Sequence, residues 1–336
     1  MVTSEEGPLY NASVVSGKID VIVFGAGAVG LGLASALLAG ENRVRIVARP
    51  ETAAALRAHG LQRTGIFGDV HTAPERLGVA SSLPELSSGG ADFALVATKA
   101  FDSSAAARAL AESSEVVGPE TQLVLCQNGW GNAERFTAHF APARVWNARV
   151  ITGFRRLAPQ HVDITVHAEP VHVGSLFGEP PERVAPLCAA VTRGGIPCEP
   201  SAQIAEDLWA KLLYNAVLNP LGAILGVSYG ALAASEHTRS VMQVLAQETF
   251  TVMGAAGFRT HWPSATAWLH DFYARLLPPT AAHESSMLQD LRAGRRTEID
   301  AITGAVALLA ERHGVEAPVS ASVLALVRFL ESRGTH

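Results

Sequence analysis

The chain is poor in several things, and each shortage removes a class of function. It has three cysteines in 336 residues, Cys126, Cys188 and Cys198. None forms a CxxC pair and the number is odd, which speaks against a disulfide framework and for reduced thiols, the pattern of a cytoplasmic protein. Charged residues make up only 17% of the chain, with a formal net charge of −5. Without a basic stripe there is no footing for nucleic acid, and without a basic amphipathic segment none for a membrane surface. Histidines 161, 167 and 172 fit neither HExxH nor a Cys/His spacing. No metal site is therefore expected, and these three read as surface positions on strands.

Long uncharged runs are also scarce. The clearest, residues 21–40, has the length of a membrane span but holds Gly25, Gly27, Gly30 and Gly32 in its first twelve positions. The helical part that remains is too short to cross a bilayer. Apolar residues are plentiful, at 48%. A chain of this length suggests two domains.

That same run organises the reading. VIVF at 21–24 is a buried strand, and it leads into Gly25-Ala26-Gly27-Ala28-Val29-Gly30 at the head of a small-residue helix; a β-branched strand follows at 44–47. Strand, GxGxxG, helix and strand in that order are the context that makes a glycine pattern a dinucleotide site. Gly25 permits the tight turn, Gly27 lets the backbone approach a pyrophosphate, and Gly30 lets the helix lie close on the strand. The phosphates are held by the free N–H groups and the positive dipole end of the helix. The second strand ends at Ala48-Arg49-Pro50, with no acid until Glu51. An acid there suits the ribose hydroxyl of NAD; Arg49 suits the 2′-phosphate of NADP(H).

Further strands at 92–98, 121–126 and 144–151 alternate with helices at 51–60, 103–112 and 133–140. This alternation predicts an α/β Rossmann-type, doubly wound parallel sheet, with Gly25, Arg49, Lys99 and Asn128 at its ligand-binding carboxyl edge. Small strands are expected within 61–79, strand-like alternation after 161, and a helix at 181–193. Past residue 200 helical periodicity takes over. The expected organisation is a loose extension over 1–18, a nucleotide-binding domain over 19–200 and an all-α domain over 201–336. The helix from 204 places Lys211, Asn215 and Asn219 at i, i+4 and i+8 on one stripe of an otherwise apolar surface, and Pro220 is expected to break or bend it. Residues 285–300 concentrate charge, and position alone reads Glu298 as a first-turn acid of the following helix.

GAGAVG at 25–30, QNGWGNAE at 127–134, WAKLLYNAVLNPLGA at 209–223 and SSMLQDLRAGRRTEID at 285–300 together resemble the ketopantoate reductase (2-dehydropantoate 2-reductase) family, in order over about residues 20–330. The resemblance implies a Rossmann domain and a helical domain with the active site in the cleft between them, and a homodimer formed through the helical part. It implies that Lys211 is the catalytic lysine and that Asn215 and Asn219 bind substrate. Asn128 would contact cofactor and substrate, Lys99 the cofactor, and Ser286 the substrate carboxylate. Glu298 would serve both the cofactor ribose and the catalytic centre, and Arg49 would select NADP(H).

Two positions depart from the family pattern, Tyr229 and His283, where asparagines are common; both belong to the substrate side. The expected activity is NADPH-dependent reduction of 2-dehydropantoate to (R)-pantoate, with Lys211 as general acid. A different 2-oxo acid, ketone or imine, and a non-catalytic NADP-binding sensor, are the alternatives.

Overall fold

A computed structural model describes residues 17 to 334. The extension expected over residues 1–18 falls almost wholly outside the described residues.

The first strand, β1 (Asp20–Phe24), alternates its side chains between two cores. Val21 and Val23 enter one and Ile22 the other, all three with no exposed surface. Such two-sided burial is what a continuous apolar run in a parallel sheet requires. Then follow α1 (Ala28–Ala39), β2 (Arg43–Val47), α2 (Pro50–His59), β3 (Leu61–Gly65), β4 (Val70–Thr72), β5 (Gly78–Ala80), β6 (Phe93–Val96) and α3 (Ser103–Ala111). Next come β7 (Gln122–Leu125), α4 (Asn132–Thr137), β8 (Val145–Arg149), β9 (Thr152–Ala158), β10 (His161–His167), β11 (Val171–Gly174), α5 (Ala185–Arg193) and β12 (Cys198–Pro200).

Eight strands form the main sheet in the order β12-β11-β8-β7-β6-β1-β2-β5. All neighbours run parallel except β8 and β11. Helices α1, α2 and α5 cover one face, and α3 and α4 the other.

The sequence reading gave its small strands no sheet of their own. A second sheet, β4-β3-β10-β9, packs over α1. It pairs β3 in parallel with β10, about a hundred residues later, and local periodicity carries no record of such a partner. Phe154 of β9 lies where a side chain at Gly32 of α1 would be, so the third small residue of that helix serves sheet-on-helix packing.

From Ile204 the chain is helical: α6 (Ile204–Leu225), α7 (Tyr229–Ala234), α8 (Glu236–Ala255), α9 (Ala265–Asp271), α10 (Ser286–Arg292), α11 (Thr303–His313) and α12 (Pro318–Gly334). Helix α6 is central, packed by α7, α8, α10 and α12 and by β8 and β11. It is long and apolar enough to cross a membrane, but its most apolar window is 67% buried inside the molecule. Pro220 does not end it. The helix continues to Leu225 with Pro220 buried, because packing on all sides outweighs the one backbone hydrogen bond that proline cannot make.

The histidines are likewise not plain surface residues. His161 bonds Thr64 at 3.1 Å, His167 bonds Thr152 at 2.9 Å, and His172 bonds Asp207 at 2.9 Å. Among the described residues no cluster of His, Cys, Asp or Glu has the makings of a metal site, and the three cysteines are free and buried.

Candidate active site

The turn after β1 is built for close approach. Gly25 has φ +110°, and a Cβ there would stand 2.7 Å from the Ala97 carbonyl carbon of the neighbouring strand end. A Cβ on Gly30 would overlap the Gly25 carbonyl oxygen. Gly27 is the N-cap of α1 and contributes no capping side chain, so the first-turn N–H groups of Ala28, Val29 and Gly30 face outward as an anion cradle, with Ala26 buried at its base. These residues fit a dinucleotide pyrophosphate.

Arg49 is the N-cap of α2 at the end of β2; its exposed side chain makes no hydrogen bond or ion pair among the described residues. Arg156, from β9, hydrogen-bonds Thr52 Oγ1 in the first turn of α2 at 2.6 Å. Burial lowers the Arg156 pKa, and the charge of Arg49 lowers it further. Two guanidiniums in each other's field mark a place suited to an anion such as a 2′-phosphate. Arg156 was invisible to sequence reasoning because β9 itself was.

Across the sheet edge, the loop after β7 is clamped to the helical part. Trp130 N–H donates to Ala301 O at 2.9 Å. A side chain on Gly129, φ +87°, would collide with that same carbonyl group. The Trp130 ring packs 4.9 Å from Trp209 of α6 and 4.8 Å from Phe258. Asn128 is thereby held over α6, and its amide bridges two charged groups. Lys211 Nζ donates to Asn128 Oδ1 at 2.7 Å, and Asn128 Nδ2 donates to Glu298 Oε2 at 3.0 Å.

Lys211 makes a second bond, to Val150 O at 2.5 Å. An ammonium has three N–H donors, so one remains for a ligand. Burial drives the Lys211 pKa down to about 8; Glu298 works against that shift, and Arg149 adds to it. Neighbouring Cys126 is pushed up to about 12 by burial and stays a neutral thiol.

Glu298 is buried and stands at the N-cap of the short turn Ile299–Ala301, but, contrary to the positional reading, its side chain makes no capping hydrogen bond there. The neighbouring Thr297 Oγ1 accepts from Ile299 N–H at 3.1 Å. Glu298 turns to the sheet instead, where its Oε1 accepts from Ala100 N–H at 3.0 Å. Lys99 Nζ stands 3.7 Å from Glu298 and 2.7 Å from Asp290. Burial disfavours the Lys99 charge, but these two carboxylates outweigh it and its pKa is raised. Asp290 was conspicuous in the sequence only as part of a dense charge run.

The remaining candidates lie further along α6 and on α10. Asn215 is half-buried and its side chain has no hydrogen-bond partner among the described residues. Asn219 is buried and accepts from the Tyr229 hydroxyl at 2.7 Å. Ser286 is exposed in the first turn of α10, beside Ser285, whose Oγ caps that helix by accepting from Leu288 N–H at 3.1 Å.

A Rossmann-type sheet whose phosphate cradle shares one edge with a half-buried lysine, a carboxylate and a row of amides defines a dinucleotide-dependent oxidoreductase. The chain belongs to the ketopantoate reductase family. Residues 21–177 match the family model described as ketopantoate reductase PanE/ApbA, and residues 203–331 match its C-terminal counterpart. A 2-dehydropantoate 2-reductase of Aquifex aeolicus is 32% identical over 92% of this chain and 96% of its own. A PanE/ApbA family ketopantoate reductase from Ralstonia eutropha superposes with a TM-score of 0.83 at 27% identity, covering 95% of this chain and 100% of that one. A D-mandelate dehydrogenase solved with NADH and anilino(oxo)acetate shares the fold, with a TM-score of 0.82 at 21% identity over 94% of this chain and 100% of its own.

Proposed function

We propose that the protein reduces 2-dehydropantoate to (R)-pantoate with NADPH, in the cytoplasm and as part of pantothenate biosynthesis. The observation that carries the reading is the chain Glu298–Asn128–Lys211, with bonds of 3.0 and 2.7 Å, which leaves one Lys211 N–H uncommitted beside the sheet edge.

When bound, the reduced nicotinamide supplies the hydride. The protein supplies orientation and charge. As the carbonyl oxygen gains negative charge, the free N–H of Lys211 stabilises it and then delivers the proton. A pKa of about 8 suits a proton donor, since the ammonium predominates at neutral pH yet releases its proton readily. Asn128 and the Val150 carbonyl hold the amine in place, and Glu298 opposes loss of its charge. Asn215, Asn219 and Ser286 bind the rest of the substrate. Arg49, the cradle residues Gly25 to Gly30 and Lys99 would hold the cofactor.

Steady-state NADPH oxidation with 2-dehydropantoate, 2-oxoisovalerate and pyruvate tests the substrate. The 2-dehydropantoate reaction is expected to lead in kcat/KM. A lead by another oxo acid would move the protein to the second reading, a relative with altered substrate choice, which His283 in place of the family's asparagine favours. NADPH binding without turnover of any oxo acid would indicate a sensor.

Glu298→Gln provides a test with a definite sign. Glu298 raises the Lys211 pKa, so removing its charge lets that pKa fall further. The alkaline limb of the reduction rate is then expected to move to lower pH in the variant. An unmoved limb would detach Glu298 from Lys211.

A further inference from the structure

Among the buried hydroxyls that the reaction scheme does not use, that of Tyr229 bonds directly to a candidate substrate-binding residue. It stands at the start of α7, its ring buried, and donates to Asn219 Oδ1 at 2.7 Å. The Tyr229 N–H donates to the His283 carbonyl at 3.0 Å. The ring lies 5.3 Å from the His283 ring and 6.0 Å, edge-on, from that of Tyr214, so it is held on two sides. Burial raises the pKa of the phenol, which therefore remains a donor throughout the working pH range.

A carboxamide has one acceptor and one donor end. The acceptor end of Asn219 is engaged by the Tyr229 hydroxyl. The NH2 group is left as the polar end without a protein partner among the described residues, so it is the end that Asn219 offers to a ligand. Asn219 lies eight residues beyond Lys211 on α6, about 12 Å along the helix axis. Asn215, between them, is unconstrained and accepts or donates.

From this we propose that Tyr229 is a positioning residue that sets substrate choice. It locks Asn219 as a hydrogen-bond donor to an acceptor oxygen at the end of the substrate remote from the reacting carbonyl, and so selects 2-oxo acids that carry a distal hydroxyl over those that end in hydrocarbon. The inference rests on the oxo-acid reductase reading and adds to it the residue that reads the far end of the substrate.

The test compares 2-dehydropantoate with 2-oxoisovalerate, which lacks the distal hydroxymethyl group, in the wild type, Tyr229→Phe, Asn219→Ala and the double variant. Thermal unfolding and NADPH binding serve as checks on folding. Tyr229→Phe is expected to raise KM for the hydroxylated acid about tenfold, the factor that goes with one lost buried hydrogen bond, with kcat nearly unchanged. The non-hydroxylated acid should be affected by less than about twofold. In the Asn219→Ala background the same change should leave the ratio of the two substrates unmoved, because Tyr229 acts through Asn219. Equal losses on both acids, or a full effect of Tyr229→Phe without Asn219, would overturn the proposal while leaving the reductase reading intact. A folded wild-type protein that binds NADPH and reduces neither acid would overturn both.

Discussion

Lys211→Ala is expected to reduce turnover by roughly 10²–10⁴-fold, the usual contribution of a positioned general acid, while NADPH affinity changes by less than about twofold. The expectation follows from how Lys211 is held. Two of its N–H groups are bound by Asn128 and by the Val150 carbonyl, at 2.7 and 2.5 Å, and neither partner belongs to the glycine cradle. Removing the amine therefore removes the proton donor and leaves the phosphate-binding turn as it was. The pH dependence provides a second measure. With the Lys211 pKa lowered to about 8, the ammonium is present below that pH and lost above it, so the wild-type reduction rate should fall as the pH rises through about 8. Activity within a few-fold of wild type in Lys211→Ala, or a flat profile from pH 7 to 10, would remove Lys211 from the chemistry.

Arg49→Ala should weaken NADPH binding on the order of 10–100-fold and NADH binding by less than about twofold. This is the range for losing charge-assisted hydrogen bonds to a phosphate dianion. Arg49 has no competing partner among the described residues, so its loss leaves no buried carboxylate exposed and should hardly disturb the fold. Direct binding by nicotinamide fluorescence is the appropriate readout because it does not depend on the substrate. Equal weakening of both cofactors would place Arg49 elsewhere than at the 2′-phosphate.

How much of this was legible beforehand differs from residue to residue. The cradle was, because a strand, three glycines at fixed spacing and a small-residue helix are contiguous. The Lys211–Asn215–Asn219 stripe was, since helical periodicity alone sets it on one side of α6. Glu298 shows the limit: its position suggested a capping acid, and the fold turned its side chain toward Ala100, about two hundred residues earlier. Pro220 shows it too, since its local preference lost to burial. The pairing of the second sheet, and strand β9 with its Arg156, had no local signature. Tyr229 was visible only as a departure from a family pattern; its bond to Asn219 is tertiary.

By itself, then, the sequence determined most of the elements, their order, the glycine turn and the candidate residues for chemistry, because each is written in neighbours a few positions apart. Only the tertiary structure decided which of those residues meet. Docking the loop after β7 against α6 and Ala301 brings Asn128 between Lys211 and Glu298. Contacts of that separation are settled by burial and hydrogen-bond satisfaction across the whole molecule, which no local pattern encodes.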